Sequence, residues 1–213
     1  MSKKAILFDL DGTLTDSGEG IINCATLALE HFGLPVPDRE AMHVFIGPPL
    51  RDTLIKFGVK PEHVEEAITV FRGRYLTKGK YENKPYPGIR ELLEKLHTQG
   101  HKLYVATSKP EPQAVDILEH FDLAKYFDII AGATMDKTRD HKAAVIAYLK
   151  EQAGDMASSV MVGDTSFDVT GAAEHGIPTI GVAWGYGKVE DMIAAGAISI
   201  AQDPEALFEL LQK

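Results

Sequence analysis

Ala5-Ile6-Leu7-Phe8-Asp9-Leu10-Asp11-Gly12-Thr13-Leu14 decides how this chain reads. The first four residues form an unbroken apolar run, as in a strand buried on both faces. The run ends at two carboxylates and a glycine. If the chain stays extended, Asp9 and Asp11 project to the same side, and Gly12 permits a sharp turn after them. One carboxylate can then attack as a nucleophile while the other exchanges protons, or both can help hold a divalent cation. An Asp-Gly pair also closes surface hairpins, so the stretch alone leaves both readings open.

Further apolar runs lie along the chain: Leu103-Tyr104-Val105-Ala106, Asp128-Ile129-Ile130-Ala131, Ser159-Val160-Met161-Val162, Thr179-Ile180-Gly181-Val182 and the shorter Ile198-Ser199-Ile200. Helical patterns separate them: Gly88 to Gln99, closed by Gly100, then Pro112 to His120, Asp140 to Gln152, Phe167 to His175, Val189 to Ala195 and Pro204 to Leu211. Strands alternating with helices predict an α/β fold with a parallel sheet covered on both faces, and ligands bind such sheets at the carboxyl ends of the strands.

From Gly18 to about Lys84 the alternation stops and only helical patterns remain: Ile21 to Phe32, Pro49 to Phe57 and Pro61 to Leu76. A helical insertion is expected there, with Lys84-Pro85-Tyr86-Pro87-Gly88 as a stiff return. Thus the 213 residues read as one core interrupted once. The formal charge of -9 and the absence of a basic run argue against a nucleic-acid polymer as partner, because counterion release needs clustered Lys and Arg. The single cysteine, Cys24, excludes an internal disulfide framework and reads as a core residue. None of the eight histidines falls in a zinc pattern, and His141 and His175 read as surface or packing residues. Neither a signal peptide nor a run of ~20 apolar residues is found, which predicts a cytoplasmic protein without membrane partners.

Chemistry collects at the other strand ends. Asp164 in Val162-Gly163-Asp164-Thr165-Ser166-Phe167-Asp168 would point from a strand tip. Asp168 would lie in the first helical turn, where it favours the helix dipole and is expected to orient the site more than to bind metal. Hard oxygen ligands at this edge suit Mg²⁺. Thr107 and Ser108 could bind phosphate oxygens, or simply precede a helix. Lys142 at a helix start opposes the dipole, so it has a reason to be there. Together these groups form the inventory for in-line phosphoryl transfer.

At Asp9-Leu10-Asp11-Gly12-Thr13-Leu14, Thr107, Lys142 and Gly163-Asp164-Thr165-Ser166-Phe167-Asp168 the sequence resembles the phosphatases of the haloacid dehalogenase superfamily. The resemblance implies a Rossmann-like core of residues 1–15 and 85–213 with an α-helical cap at 16–84. It implies that Asp9 is the nucleophile and Asp11 the acid and base. Mg²⁺ would be held by the Asp9 side chain, the Asp11 carbonyl and Asp164, with Asp168 in support. Thr107 and Lys142 would bind the phosphoryl group, and Gly47 and Arg51 of the cap loop would select the substrate. Arg51 could equally be a solvated helix-start residue.

Gly47-Pro48-Pro49-Leu50 and Gly181-Val182-Ala183-Trp184-Gly185-Tyr186-Gly187 look like the phosphoglycolate phosphatase and 5′-nucleotidase-like subgroup. The expected partner is a small phosphorylated metabolite, met by a monomer or homodimer. A sugar phosphomutase is the alternative enzyme, and would need a bisphosphate primer. A non-catalytic phospho-aspartate switch is the alternative from another class. The insertion and the Asp11-Gly12-Thr13 turn count against it.

Overall fold

The computed structural model describes residues 3–136, 138–154, 156 and 158–213, so Met1 and Ser2 of the basic start lie outside the described residues. The chain divides into two compact units, Met1–Thr15 with Pro85–Lys213, and Asp16–Lys84.

Strand β1 is Ala5–Phe8, the run that opens the sequence. The chain leaves the first unit through the two-residue β2, Thr15–Asp16. The second unit is helical, with α1 at Gly18–His31, α2 at Leu50–Lys56 and α3 at Val64–Tyr75. Its interior is apolar: Ile22, Ala25 and Leu29 of α1, Leu54 of α2, and Ala67, Ile68 and Phe71 of α3 are buried. Cys24 is buried there, as read from sequence. Pro61–His63 forms a 3₁₀ turn before α3 rather than its first helical turn. The chain returns through β3, Lys84–Pro85, which pairs with β2.

The remainder alternates: α4 Ile89–Thr98, β4 Lys102–Pro110, α5 Glu111–His120, β5 Ile129–Ala133, α6 Lys142–Ala153, β6 Ser159–Gly163, α7 Ser166–Ala173, β7 Thr179–Val182, α8 Val189–Ala194, β8 Ser199–Ala201 and α9 Pro204–Leu211. The six-stranded sheet has the order β5-β4-β1-β6-β7-β8, and every pair is parallel. Ile6 and Phe8 face one apolar layer with Leu93 and Leu96 of α4, Ile117 of α5 and Leu207 of α9. Ala5 and Leu7 face the other, with Val145, Ile146 and Leu149 of α6 and Ala172 of α7. Two covered faces make this a Rossmann-like α/β fold, as expected. Among the described residues no helix is long and apolar enough to cross a membrane.

Two local departures from the sequence reading bear on function. Strand β4 does not end at Ala106 but continues to Pro110, with a register shift against β5 between those residues. Such irregularities re-aim side chains, here Thr107 to Lys109. Helix α6 begins at Lys142, not Asp140, because His141 is extended (φ -127°, ψ 160°) and its ring nitrogen accepts from the Ala144 N–H at 3.3 Å. That cap sets Lys142 as the first helical residue.

Gly132 in β5 has no room for a side chain, since a Cβ would lie 2.6 Å from the Lys109 carbonyl oxygen and 2.7 Å from the Glu111 Cα. Gly73, inside α3, has open space. Gly132→Ala should therefore destabilise the protein by about 1–3 kcal/mol through overpacking, whereas Gly73→Ala should stabilise it by about 0.5–1 kcal/mol. Urea unfolding of both variants checks this. A Gly132→Ala protein as stable as the parent would disprove the close approach of β4 and β5.

Candidate active site

The carboxyl end of β1, the middle of β4 and the first turns of α6 and α7 meet around one ammonium group. Asp9 follows β1, and its N–H donates to the Val162 carbonyl at 2.9 Å, which extends the pairing with β6 by one residue. The Lys142 Nζ lies 2.8 Å from Asp9 Oδ1 and 2.7 Å from Asp168 Oδ1. It also donates to the Ala106 carbonyl at 2.7 Å. These three partners answer why a lysine begins a helix against its dipole.

Asp164 follows β6 and is fully buried. The Thr13 hydroxyl donates to its Oδ1 at 3.3 Å, and the Tyr186 N–H to its Oδ2 at 2.8 Å. Asp168, also fully buried, accepts from the Thr165 N–H at 3.0 Å and hydroxyl at 2.9 Å through Oδ2, leaving Oδ1 for Lys142. It is thus both a cap and an orienting residue. The glycines beside these groups make room: a Cβ on Gly163 would sit 2.3 Å from the Asp168 Cγ, and one on Gly12 2.2 Å from Asp164 Oδ2.

Asp9, Asp164 and Asp168 present carboxylate oxygens within 4.8 Å of one another, and all three are buried. The Lys142 ammonium contacts two of the three, Asp9 and Asp168. Burial pushes the Asp9 carboxyl up to about 6, opposed by Lys142 and reinforced by Asp168 and Asp11. Asp164 is raised well above its ordinary value, first by burial, then by Asp168 and Asp9. Burial acts to lower Lys142, but Asp168 and Asp9 outweigh it and hold the ammonium above its usual range. The raised Asp9 and Asp164 carboxyls mark a buried cluster with more carboxylate than nearby positive charge can hold ionised. A hard divalent cation supplies that charge and takes oxygen ligands, so the donor set fits Mg²⁺.

Asp11 goes elsewhere. Its Oδ2 pairs with the Lys109 Nζ at 2.5 Å, and both side chains are nearly buried. The Lys109 N–H donates to the Thr107 hydroxyl at 3.2 Å. Thr107 is buried and Ser108 partly so. Lys109 is the site residue that sequence reasoning missed. Its signal was the two-residue spacing from Thr107, which puts two strand residues on one face.

Gly47 and Arg51 belong to the helical unit. Gly47 has a φ of 100° and is followed by Pro48 and Pro49, which lead into α2. Arg51, on α2, is paired at the surface with Glu65 of α3. His175 contacts the Ala143 carbonyl at 2.8 Å, a packing role between α7 and α6.

A parallel α/β core with a buried carboxylate cluster at its carboxyl edge is a Rossmann-like fold with a candidate metal site, and comparison with known proteins makes the class specific. The haloacid dehalogenase-like hydrolase family model matches residues 6–182, and the chain belongs to that family. It is 45% identical to the tyrosine-protein kinase PtkA of Mycobacterium tuberculosis over 190 residues, 89% of this chain but 65% of that protein. It thus spans less than two thirds of that relative's length. It is 40% identical to a 5′-nucleotidase of Pseudomonas aeruginosa over 209 residues, covering 97% of this chain and 95% of the relative. A crystal structure of a predicted phosphatase from Clostridium acetobutylicum superposes with a TM-score of 0.95 at 39% identity, covering 100% of this chain and 99% of that one.

The raised Asp9 carboxyl has a thermodynamic consequence in metal-free protein. Between its ordinary value of 3.8 and about 6, the folded state holds a proton that the unfolded state has lost. The cost of burying the ionised group therefore grows as pH rises through that window and is complete above it. Asp9→Asn should raise the melting temperature of metal-free protein relative to the parent at pH 8, and the gain should vanish near pH 4. Melting curves across that range check it. A difference that does not change with pH would contradict the assignment.

Proposed function

We propose that this protein is a Mg²⁺-dependent phosphatase that hydrolyses a small phosphate monoester through an aspartyl-phosphate on Asp9. The observation that carries the reading is the parting of the Asp9-x-Asp11 pair. Asp9 joins Lys142 and the buried carboxylate cluster, while Asp11 sits apart on Lys109. Two carboxylates with different partners can perform different tasks.

A carboxylate oxygen of Asp9 attacks phosphorus, and the bond from phosphorus to the ester oxygen breaks. Asp11 gives its proton to the departing alkoxide. It then takes a proton from water, whose oxygen attacks phosphorus and releases inorganic phosphate from Asp9. Lys142 neutralises the nucleophile before attack and the phosphoryl oxygens during transfer. The Thr107 hydroxyl and the Ser108 backbone hold the phosphoryl group. Asp9, the Asp11 carbonyl and Asp164 would hold Mg²⁺, with Asp168 in support, and the ion would supply the positive charge that lets an acidic site accept a phosphate.

The helical unit is proposed as the cap, with Gly47 and Arg51 on its substrate-selecting loop. A nucleoside 5′-monophosphate and phosphoglycolate are the leading substrates. The 5′-nucleotidase relative, matched over nearly its whole length, supports the first. The relative named a tyrosine-protein kinase supports a second reading, in which a protein tyrosine rather than water accepts the phosphoryl group.

Asp9→Asn should lower kcat by roughly 10³-fold or more, Asp11→Asn by about 10²- to 10⁴-fold, and chelation should stop turnover reversibly. A panel of nucleoside monophosphates, phosphoglycolate, sugar phosphates and phosphotyrosine, assayed for released phosphate, ranks the substrates by kcat/KM. Turnover retained in Asp9→Asn sinks the mechanism. Phosphate that appears on a tyrosine instead of in solution favours the second reading.

A further inference from the structure

We propose that the Ala183-Trp184-Gly185-Tyr186-Gly187 loop after β7 is the positioning element for Asp164, with Trp184 as its anchor. The inference rests on the reading of Asp164 as a metal ligand. The strand β7 ladder continues to Ala183, whose N–H donates to the Ala201 carbonyl at 2.9 Å, and the loop then turns over the Asp164 side chain. The Tyr186 N–H donates to Oδ2 at 2.8 Å, and the Gly187 N–H hydrogen-bonds the same carboxylate. Backbone donors from a loop fix the carboxylate's rotation. They leave Oδ1 with the longer 3.3 Å bond from the Thr13 hydroxyl, and so with acceptor capacity for a cation.

The glycines explain the loop's composition. A Cβ on Gly185 would lie 2.2 Å from the Asp164 Cβ and 2.5 Å from the Gly12 carbonyl oxygen, and one on Gly187 2.0 Å from the Asp164 carbonyl oxygen. Only a backbone without side chains can lie this close to a buried carboxylate. Trp184 holds the loop in place. Its indole N–H donates to the Thr13 carbonyl at 3.0 Å, and its ring packs edge-on against Tyr86 with centroids 6.5 Å apart. Thr13 is therefore held by Trp184 through its carbonyl and holds Asp164 through its hydroxyl. This chain of contacts ties the loops after β1, β6 and β7 to one carboxylate. None of these residues needs to touch the substrate, so they act through Asp164.

Such supporting partners typically alter metal affinity by about 10- to 100-fold. The decisive measurement is calorimetric titration of metal-free protein with MgCl₂. Trp184→Phe keeps an aromatic body but loses the indole donor, and should raise the Mg²⁺ Kd about tenfold while the circular dichroism of the metal-free fold stays unchanged. Thr13→Val should do the same, and the double variant should lose less than the product of the two, because the residues share one network. Thr13→Ser, which keeps the hydroxyl, should restore binding.

Trp184 is also the only tryptophan in the sequence. Its emission should change on Mg²⁺ binding in the parent and stay unchanged in Asp164→Asn. Gly185→Ala, which places a methyl against Asp164, is the more severe variant. If it fails to fold, Trp184→Phe still decides. Parental Mg²⁺ affinity in Trp184→Phe, or indole emission indifferent to saturating Mg²⁺ in the parent, overturns this inference alone. A parent protein that takes up no Mg²⁺ overturns both this inference and the metal-dependent function.

Discussion

Three clustered buried carboxylates, two of them bonded to the buried Lys142 ammonium, are the condition on which the rest of the site depends. Burying an ion unpaired is expensive, and Lys142 cannot balance Asp9, Asp164 and Asp168 together. The protein spends structure on the excess. Asp168 is held by Thr165, Asp164 by Thr13 and Tyr186, and Lys142 itself by the Ala106 carbonyl. Each of these bonds fixes a group at a strand end or in the first turn of a helix, where packed elements limit its movement. A site so constrained is preorganised for added positive charge, and that is the property phosphoryl transfer exploits.

Much of this was legible in the chain. Ala5–Phe8 announced a strand because four consecutive apolar residues meet a double carboxylate, and β1 is that run. Pro204–Leu211 was bounded by its own proline, and α9 has those limits. Lys142 stood out because it opposes the helix dipole. The family resemblance supplied the roles, which spacing alone left open between a hairpin turn and a nucleophile.

What the chain hid was set by tertiary structure. Lys109 looked like a residue beyond the end of a strand. The irregular register of β4 against β5 carries the strand on to Pro110, and Lys109 thereby meets Asp11, 98 residues earlier. His141 was read as a surface or packing residue, and it is exposed; its hydrogen bond from Ala144 adds the role of cap, which sets where α6 begins. The loop Gly185–Gly187 was legible as a motif without a task, because a glycine records that something comes close but not what. Substrate choice stayed hidden for a related reason. Arg51 is an anion-binding residue by type, yet its visible partner is Glu65 in the same helical unit.

The strand order carries a further consequence. Strand β1 sits in the interior of the sheet, between β4 and β6, and every neighbour is parallel. Its register pairs Phe8 with Val105 and with Val162, so the tip that carries Asp9 is defined by segments roughly a hundred and a hundred and fifty residues downstream. Contacts of such long sequence separation cost closure entropy and slow folding as a whole. The surroundings of Asp9 are thus supplied by distant parts of the chain and not by its sequence neighbours. The cluster needs β6 in place, because Asp9 bonds to Val162 of that strand and Asp164 follows it directly.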